Sequence, residues 1–243
     1  MTSRNVASSA LMSGEALGGL ITYAGQSLLG GRTNNEDGFV CAPRCALFAV
    51  ADGMGGHNAG EVASALALDT LAAALRARKA RQATPILALE DAFGTANQRV
   101  FTAAHQNKEQ AGMGCTLSAV LVASPHLVGA HVGDSRIYRL RGGALEQLTT
   151  DHAVPWMPHC ITRAVGTEAT VKVDTFTARI EPEDVFLLCT DGVTNALPDA
   201  TVARLLGNAR RAPASAVTGI LRAALPYAKD NLTAVVLRIE GQS

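Results

Sequence analysis

Four apolar segments of this chain each set an aspartate at one end. Asp52 closes the run Ala46 to Ala51 and is followed by glycines at 53, 55 and 56. Asp134 follows Val128 to Gly133, Asp191 follows Val185 to Thr190 with Gly192 behind it, and Asp230 precedes Asn231 to Ile239. Short apolar runs bounded by turn residues read as buried strands. Asp-Gly at one strand end is ordinary turn chemistry. Repeated at several strand ends, it is better explained by one carboxylate-rich pocket at the edge of a sheet sandwich. Glycine beside Asp52 lets the backbone come close to whatever that carboxylate holds, since no Cβ intervenes.

Clustered carboxylates repel, and burying them uncompensated costs more than the net stability of a domain. A hard divalent cation resolves the conflict. The candidate donors are all oxygens, with the Gly53 carbonyl among them, which favours Mg²⁺ or Mn²⁺ over zinc or copper. Asp52 has two oxygens with which to bridge two ions. Two ions roughly 3.5 to 4 Å apart lower the pKa of a shared water and stabilise in-line displacement at phosphorus. Arg32 offers a bidentate fork for a dianionic phosphoryl group; its alternative role is an ion pair with Glu36 or Asp37, of small worth at a surface. The expected reaction is hydrolysis by metal-bound hydroxide without a covalent enzyme intermediate.

The elements that must position these groups follow from periodicity. Residues 1 to 16 have no clear period and read as a flexible arm, Leu20 to Ala24 as a first strand, and Gly30 to Gly38 as a polar loop leading to a strand near Phe39. From Ala59 to Lys79 the chain reads as a helix, capped by Asn58, with Leu68, Leu71 and Leu75 on one face. Thr84-Pro85 opens a second helix, in which Ile86, Leu89, Phe93, Ala96 and Val100 keep helical spacing. The two should pack as a pair on a sheet face. From Cys115 the period shortens: Leu117 to Ala123, Leu127 to Val132 and Arg136 to Leu140 read as consecutive strands, with Arg141 to Gly143 turning into Leu145 to Leu148. Asp151 to Cys160 reads as a loop, Val171 to Ile180 and Val185 to Thr190 as strands, and short helices start at Pro198 and Pro213 before the last strand, Leu232 to Ile239. Adjacent strands after a helix pair indicate an antiparallel α+β fold rather than alternating βαβ units.

Composition narrows the function classes. With 243 residues, 48% of them hydrophobic, and zero formal net charge, the chain can bury a full core and carries no basic excess for nucleic acid or an anionic membrane. No apolar run approaches the roughly 20 residues of a membrane helix, and Glu15 with several glycines and serines breaks the N-terminal stretch, arguing against a secretory signal. Five scattered cysteines, Cys41, Cys45, Cys115, Cys160 and Cys189, read as buried free thiols, and Cys41 and Cys45 lack partners for a zinc site. A cytoplasmic location is expected.

Taken in order, Arg32-Thr-Asn-Asn-Glu-Asp37, Ala51-Asp-Gly-Met-Gly-Gly-His57, Gly114-Cys-Thr116, Gly133-Asp-Ser-Arg136, Thr150-Asp-His152, Ile161-Thr-Arg-Ala-Val-Gly166, Thr190-Asp-Gly192 and Asp230-Asn231 resemble the metal-dependent serine/threonine protein phosphatases of type 2C. The resemblance runs from about Gly30 to Val236. It implies a four-layer αββα sandwich, two packed antiparallel sheets with a helix pair outside each, spanning residues 17–243 as one catalytic domain. It also implies that Asp52 bridges two Mn²⁺ or Mg²⁺ ions, that Asp191 and Asp230 complete one site, and that the Gly53 carbonyl, Glu36 and Asp37 serve the other, partly through water. Asp134 with Asp191 would form an extra, weaker metal site.

The departures are specific. Met54 stands where many eukaryotic relatives carry a histidine proposed as general acid, leaving metal-bound water or His57 to protonate the leaving group; capping of the helix start is the structural alternative for His57. The segment between His152 and Ile161 is shorter than the flap of typical bacterial relatives. His152, Arg136 and Arg163 are expected to make structural hydrogen bonds or ion pairs. The resemblance thus implies a monomeric bacterial phosphatase that acts on phosphoserine and phosphothreonine in proteins and opposes a cognate Ser/Thr kinase, in one variant within type VI secretion control. The alternatives are a non-catalytic phosphoprotein-binding module of the same fold and a hydrolase of small phosphate esters.

Overall fold

The computed structural model describes residues 4–6, 10–55, 59–77, 84–154 and 156–241. In chain order the strands and helices are β1 (Arg4–Val6), β2 (Met12–Ala16), β3 (Ile21–Leu28), β4 (Asp37–Ala42), β5 (Leu47–Met54), α1 (Ala59–Ala77), α2 (Pro85–Gln106), β6 (Gly114–Cys115), β7 (Leu117–Ala123), β8 (His126–Val132), β9 (Arg136–Arg141) and β10 (Ala144–Gln147). They continue with β11 (Ala153–Val154), β12 (Met157–Ile161), β13 (Asp174–Arg179), β14 (Val185–Cys189), α3 (Asp191–Ala196), α4 (Asp199–Leu206), α5 (Pro213–Ala224) and β15 (Leu232–Ile239).

One sheet has the order β1-β4-β5-β7-β8-β13, with β6 beside β5; the other has the order β10-β9-β14-β15-β3-β2. Every pairing is antiparallel. The side-chain period of two sorts each central strand between two cores. Leu47, Ala49 and Ala51 of β5 pack under α1 and α2, while Phe48 and Val50 pack between the sheets. In β14, Val185, Leu187 and Cys189 meet the second helical layer, and Phe186 and Leu188 the sheet interface. Strand β15 divides likewise, Leu232, Ala234 and Val236 against Val235, Leu237 and Ile239. Burial on both faces is why these strands read as continuous apolar runs. The layers are therefore helix, sheet, sheet, helix, the αββα sandwich expected.

Several local expectations change. Residues 4–6 and 12–16, read as parts of a loose arm, form β1 on β4 and the edge strand β2 on β3. The Ser, Gly and Glu positions of β2 hide a strand with one exposed face, and the Tyr23 hydroxyl packs 2.7 Å from where a Cβ on Gly14 would stand. Strand β3 extends to Leu28 rather than Ala24, and β13 begins at Asp174 rather than Val171. The loop expected over Asp151 to Cys160 contains the short hairpin β11–β12, whose paired segments are too brief to show a period. A helix turn over Asp191–Ala196 had no apolar periodicity to announce it. Thr84 precedes α2 with Pro85 at its first turn, yet its side chain makes no cap hydrogen bond. Asn58, the cap expected for α1, lies outside the described residues, as do residues 78–83. All five thiols are free; Cys41, Cys115 and Cys189 are buried, whereas Cys45 is half-buried and Cys160 exposed because it sits on the hairpin.

Candidate active site

The strand ends carrying the aspartates converge at one edge of the sandwich. A cavity of about 300 Å³ there is lined by Arg32, Glu36, Asp52, Gly53, Met54, Gly55, Thr116, Asp134, Ile161, Asp191 and Asp230. Asp52 is central. Its carboxylate is driven well above its ordinary pKa by burial first, then by Asp37, Asp191, Asp230 and Asp134. Asp134 is pushed up to about 7 by burial and by Asp191 and Asp151. Burial also raises Glu36, against the opposing pull of Arg32. Such mutual repulsion is what a bound cation would relieve.

Local backbone chemistry holds each group. The Asp52 N–H donates to Thr116 Oγ1 at 2.9 Å and its carbonyl accepts from the Thr116 N–H at 2.8 Å, so Asp52 is pinned on both sides. Gly53 donates to the Glu36 carbonyl at 3.1 Å. A Cβ on Gly53 would collide with the Gly60 carbonyl at the start of α1 and lie 2.8 Å from the Glu36 carbonyl oxygen. Only glycine lets the strand end, the helix start and the Glu36 segment meet. Asp191 opens α3, and its Oδ2 accepts from Asn195 Nδ2 at 2.9 Å. A Cβ on Gly192 would run into the Asn231 carbonyl, so the Asp191 and Asp230 segments also need a glycine to approach each other.

Asn231 fastens the loop that carries Arg32 and Glu36. Its Oδ1 accepts from the Glu36 N–H at 2.9 Å, and its Nδ2 donates to the carbonyls of Leu29 at 2.8 Å and Asn34 at 2.9 Å. Arg32 itself reaches Asp230 Oδ2 at 2.6 Å, not the sequence neighbours Glu36 or Asp37 expected as its alternative partners. The geometry of the β3–β15 ladder, which puts Leu28 opposite Leu232, brings these distant residues together.

Asp37 stands apart from the other acids. It is opposite Asp52 in the β4–β5 ladder, on the same face between the sheets but deeper, where Oδ2 accepts from Thr190 Oγ1 at 2.8 Å and Thr233 Oγ1 at 2.7 Å. Burial pushes it up to about 7 despite those donors. It backs the cavity rather than lining it. His57, the candidate proton donor, lies outside the described residues.

The residues fit hard cations. Among the described residues no group of three or more His, Cys, Asp or Glu side chains is drawn close enough to hold a metal ion by itself; instead carboxylates and a backbone carbonyl surround open space. Magnesium-type ions are held in that way, by few carboxylates with water completing the shell.

Behind this site Arg136 makes the ion pair expected of it, whereas His131 was missed. Arg136 grips Asp151 with Nε at 3.0 Å and Nη2 at 2.7 Å and donates to the Tyr138 hydroxyl at 2.8 Å, below the turn that bears Asp134. His131, whose pKa burial lowers to about 4, stacks on His152 at 4.6 Å between ring centres. A histidine in the middle of an apolar strand was the available signal.

Comparison with known proteins identifies the family. The family model for protein phosphatase 2C matches residues 24–226. The serine/threonine phosphatase Stp of Listeria innocua is 33% identical over 233 residues, covering 85% of this chain and 90% of its own. The structure of PppA, described as a key regulatory component of the T6SS in Pseudomonas aeruginosa, superposes with a TM-score of 0.81 at 33% identity, covering 90% of this chain and 97% of its own. The catalytic domain of the phosphatase PstP, solved in complex with two manganese ions, superposes with a TM-score of 0.82 at 32% identity, covering 91% and 99%. On the family match and these identities, the chain belongs to the protein phosphatase 2C family.

Proposed function

We propose that this protein serine/threonine phosphatase works with two Mn²⁺ or Mg²⁺ ions held by Asp52, the Gly53 carbonyl, Asp191, Asp230 and Glu36, with a weaker third ion near Asp134. The observation that carries the reading is the ring of acids around Asp52 in one cavity with Arg32 at its rim. Bound ions would supply charge neutralisation of the phosphoryl oxygens and a water acidic enough to attack phosphorus at neutral pH.

The chain's own residues do the rest. Arg32 is more than half exposed and flanks Asp230, where it can swing to pair with two phosphoryl oxygens of an incoming phosphoserine or phosphothreonine. Asp52 is held rigidly by Thr116, which costs no reorganisation during reaction. Asp37 backs the site from between the sheets, held by the Thr190 and Thr233 hydroxyls. His57 is proposed as proton donor to the leaving hydroxyl.

The catalytic domain, monomeric and cytoplasmic, takes in β1 and β2 together with residues 17–243, with the β11–β12 hairpin in place of a longer flap. Its substrates are phosphorylated proteins, and a cognate Ser/Thr kinase supplies them; the likeness to PppA supports a place in type VI secretion control. No helix among the described residues is long and apolar enough to cross a membrane.

The test is hydrolysis of a phosphothreonine peptide by the wild type, Asp52→Asn and Asp191→Asn, each with Mn²⁺, with Mg²⁺ and with EDTA. Turnover by the wild type only with metal, and by neither mutant, supports the reading. A folded wild type that releases no phosphate with either metal refutes it.

A further inference from the structure

A buried histidine lies behind the Asp134 turn, and its hydrogen bonds determine where its proton sits. The Gly133 N–H points at His152 Nδ1 at 3.0 Å. A backbone N–H can only donate, so Nδ1 is the acceptor and the ring proton is on Nε2. Nε2 lies 3.1 Å from Asp174 Oδ2, an acceptor that needs that proton. The same Nε2 is also 3.0 Å from Arg163 Nη1, which can only donate. The guanidinium is occupied elsewhere, on Asp174 Oδ1 at 2.7 Å and the Lys172 carbonyl at 3.2 Å. Asp174 therefore selects the tautomer. Without it, Arg163 would donate to Nε2, the proton would move to Nδ1, and Nδ1–H would oppose the Gly133 N–H.

What His152 grips is the base of Asp134. The two segments also exchange a backbone bond, His152 N–H to the Gly133 carbonyl at 2.8 Å. Gly133 has a φ of +108°, and a Cβ there would lie 2.7 Å from Thr116 Cβ, so the turn is packed directly on the residue that pins Asp52. The His152 carbonyl accepts from the Thr162 N–H at 2.7 Å, tying the base of the β11–β12 hairpin to the same point.

We propose that His152, kept in its Nε2–H tautomer by Asp174, is a positioning residue that fixes the Gly133–Asp134 turn and so aims Asp134 into the cavity. The metal-binding part of its test rests on the proposed function; the tautomer part does not. Supporting residues of this kind typically change metal affinity about 10- to 100-fold when removed.

The experiment compares the wild type with Asp174→Ala, His152→Leu and His152→Asn, using Mn²⁺ titration calorimetry and the ¹⁵N resonances of the histidine ring. Asp174 is 45% exposed at its side chain, so Asp174→Ala is expected to fold. Asparagine places Oδ1 where Nδ1 stands and keeps the acceptor for Gly133. The expected result is an Nε2–H ring in the wild type that changes tautomer in Asp174→Ala. The weakest Mn²⁺ event should weaken about tenfold in Asp174→Ala and His152→Leu, stay within about threefold in His152→Asn, and leave the tighter events unchanged. An Nδ1–H ring in the wild type overturns the proposal, as does an unchanged weak event in Asp174→Ala or a wild type with no event weaker than the first two ions. Equal weakening of every event marks a general loss of structure and also overturns it. If His152→Leu does not fold, Asp174→Ala and His152→Asn decide alone. A wild type that fails to hydrolyse phosphopeptide but shows the expected tautomer and its change refutes the phosphatase mechanism and leaves the positioning role standing.

Discussion

Replacing Gly53 by alanine adds one methyl group at the point where three segments of the site touch. Built on this backbone, the new Cβ meets the Gly60 carbonyl of α1 and stands 2.8 Å from the Glu36 carbonyl oxygen. Both obstacles are backbone, so no side-chain rotation relieves them. Either α1 or the Glu36 segment must move. Overpacking a well-filled site costs about 1–3 kcal/mol, and obstruction from two sides puts Gly53→Ala near the upper end. For a domain of this size each kcal/mol lowers Tm by about 2–4 °C, giving an expected fall of roughly 6–12 °C. The same substitution at Gly94, inside α2 with nothing within 4 Å of its Cβ position, should have the opposite sign. Alanine in a helix interior gains about 0.5–1 kcal/mol over glycine, or about 1–4 °C. The assay is calorimetric unfolding in EDTA, paired with Mn²⁺-dependent phosphopeptide turnover. Turnover should fall at least about tenfold in Gly53→Ala, because Asp52 and the Gly53 carbonyl move with the strand end, and remain at the wild-type level in Gly94→Ala. A Gly53→Ala protein that melts within about 2 °C of the wild type and turns over normally would refute the close-approach argument.

Other expectations are as direct. Arg32→Ala removes charge-assisted hydrogen bonds to the phosphoryl group, worth about 1.5–3 kcal/mol, so kcat/KM for a phosphopeptide should fall about 10- to 150-fold; steady-state kinetics at saturating Mn²⁺ checks this. Asp52→Asn should abolish turnover with either metal yet raise the melting temperature of the protein in EDTA, since it removes the most crowded carboxylate; a lower Tm would contradict the repulsion inferred here. Asn231→Ala strands the Glu36 N–H and the Leu29 and Asn34 carbonyls, each at about 1–3 kcal/mol, so Tm in EDTA should drop by at least about 6 °C, with turnover reduced as the Arg32 loop loosens.

The helix pair and the antiparallel strands were legible because they follow from local spacing, three and four for a helix and short apolar runs bounded by turns for a strand, whereas the four-layer order was implied by the family resemblance. Which of Leu47 and Phe48 faces a helix was not legible, because both are buried. The aspartates near strand ends were legible because a carboxylate is placed toward the open end of a buried strand rather than at its middle, although β5 runs on past Asp52 to Met54. What the sequence left open were relations set by register between distant segments. Arg32 pairs with Asp230 rather than Glu36 because β3 lies against β15. Asp37, read in a polar loop, lies opposite Asp52 across β4 and β5, yet it meets Thr190 and Thr233 between the sheets while Asp52 borders the cavity. Edge strand β2 and hairpin β11–β12 escaped notice because little of their surface is buried, which leaves composition free of periodic constraint. The tautomer of His152 depends on Gly133, Asp174 and Arg163, and only the tertiary structure brings those three around one imidazole ring.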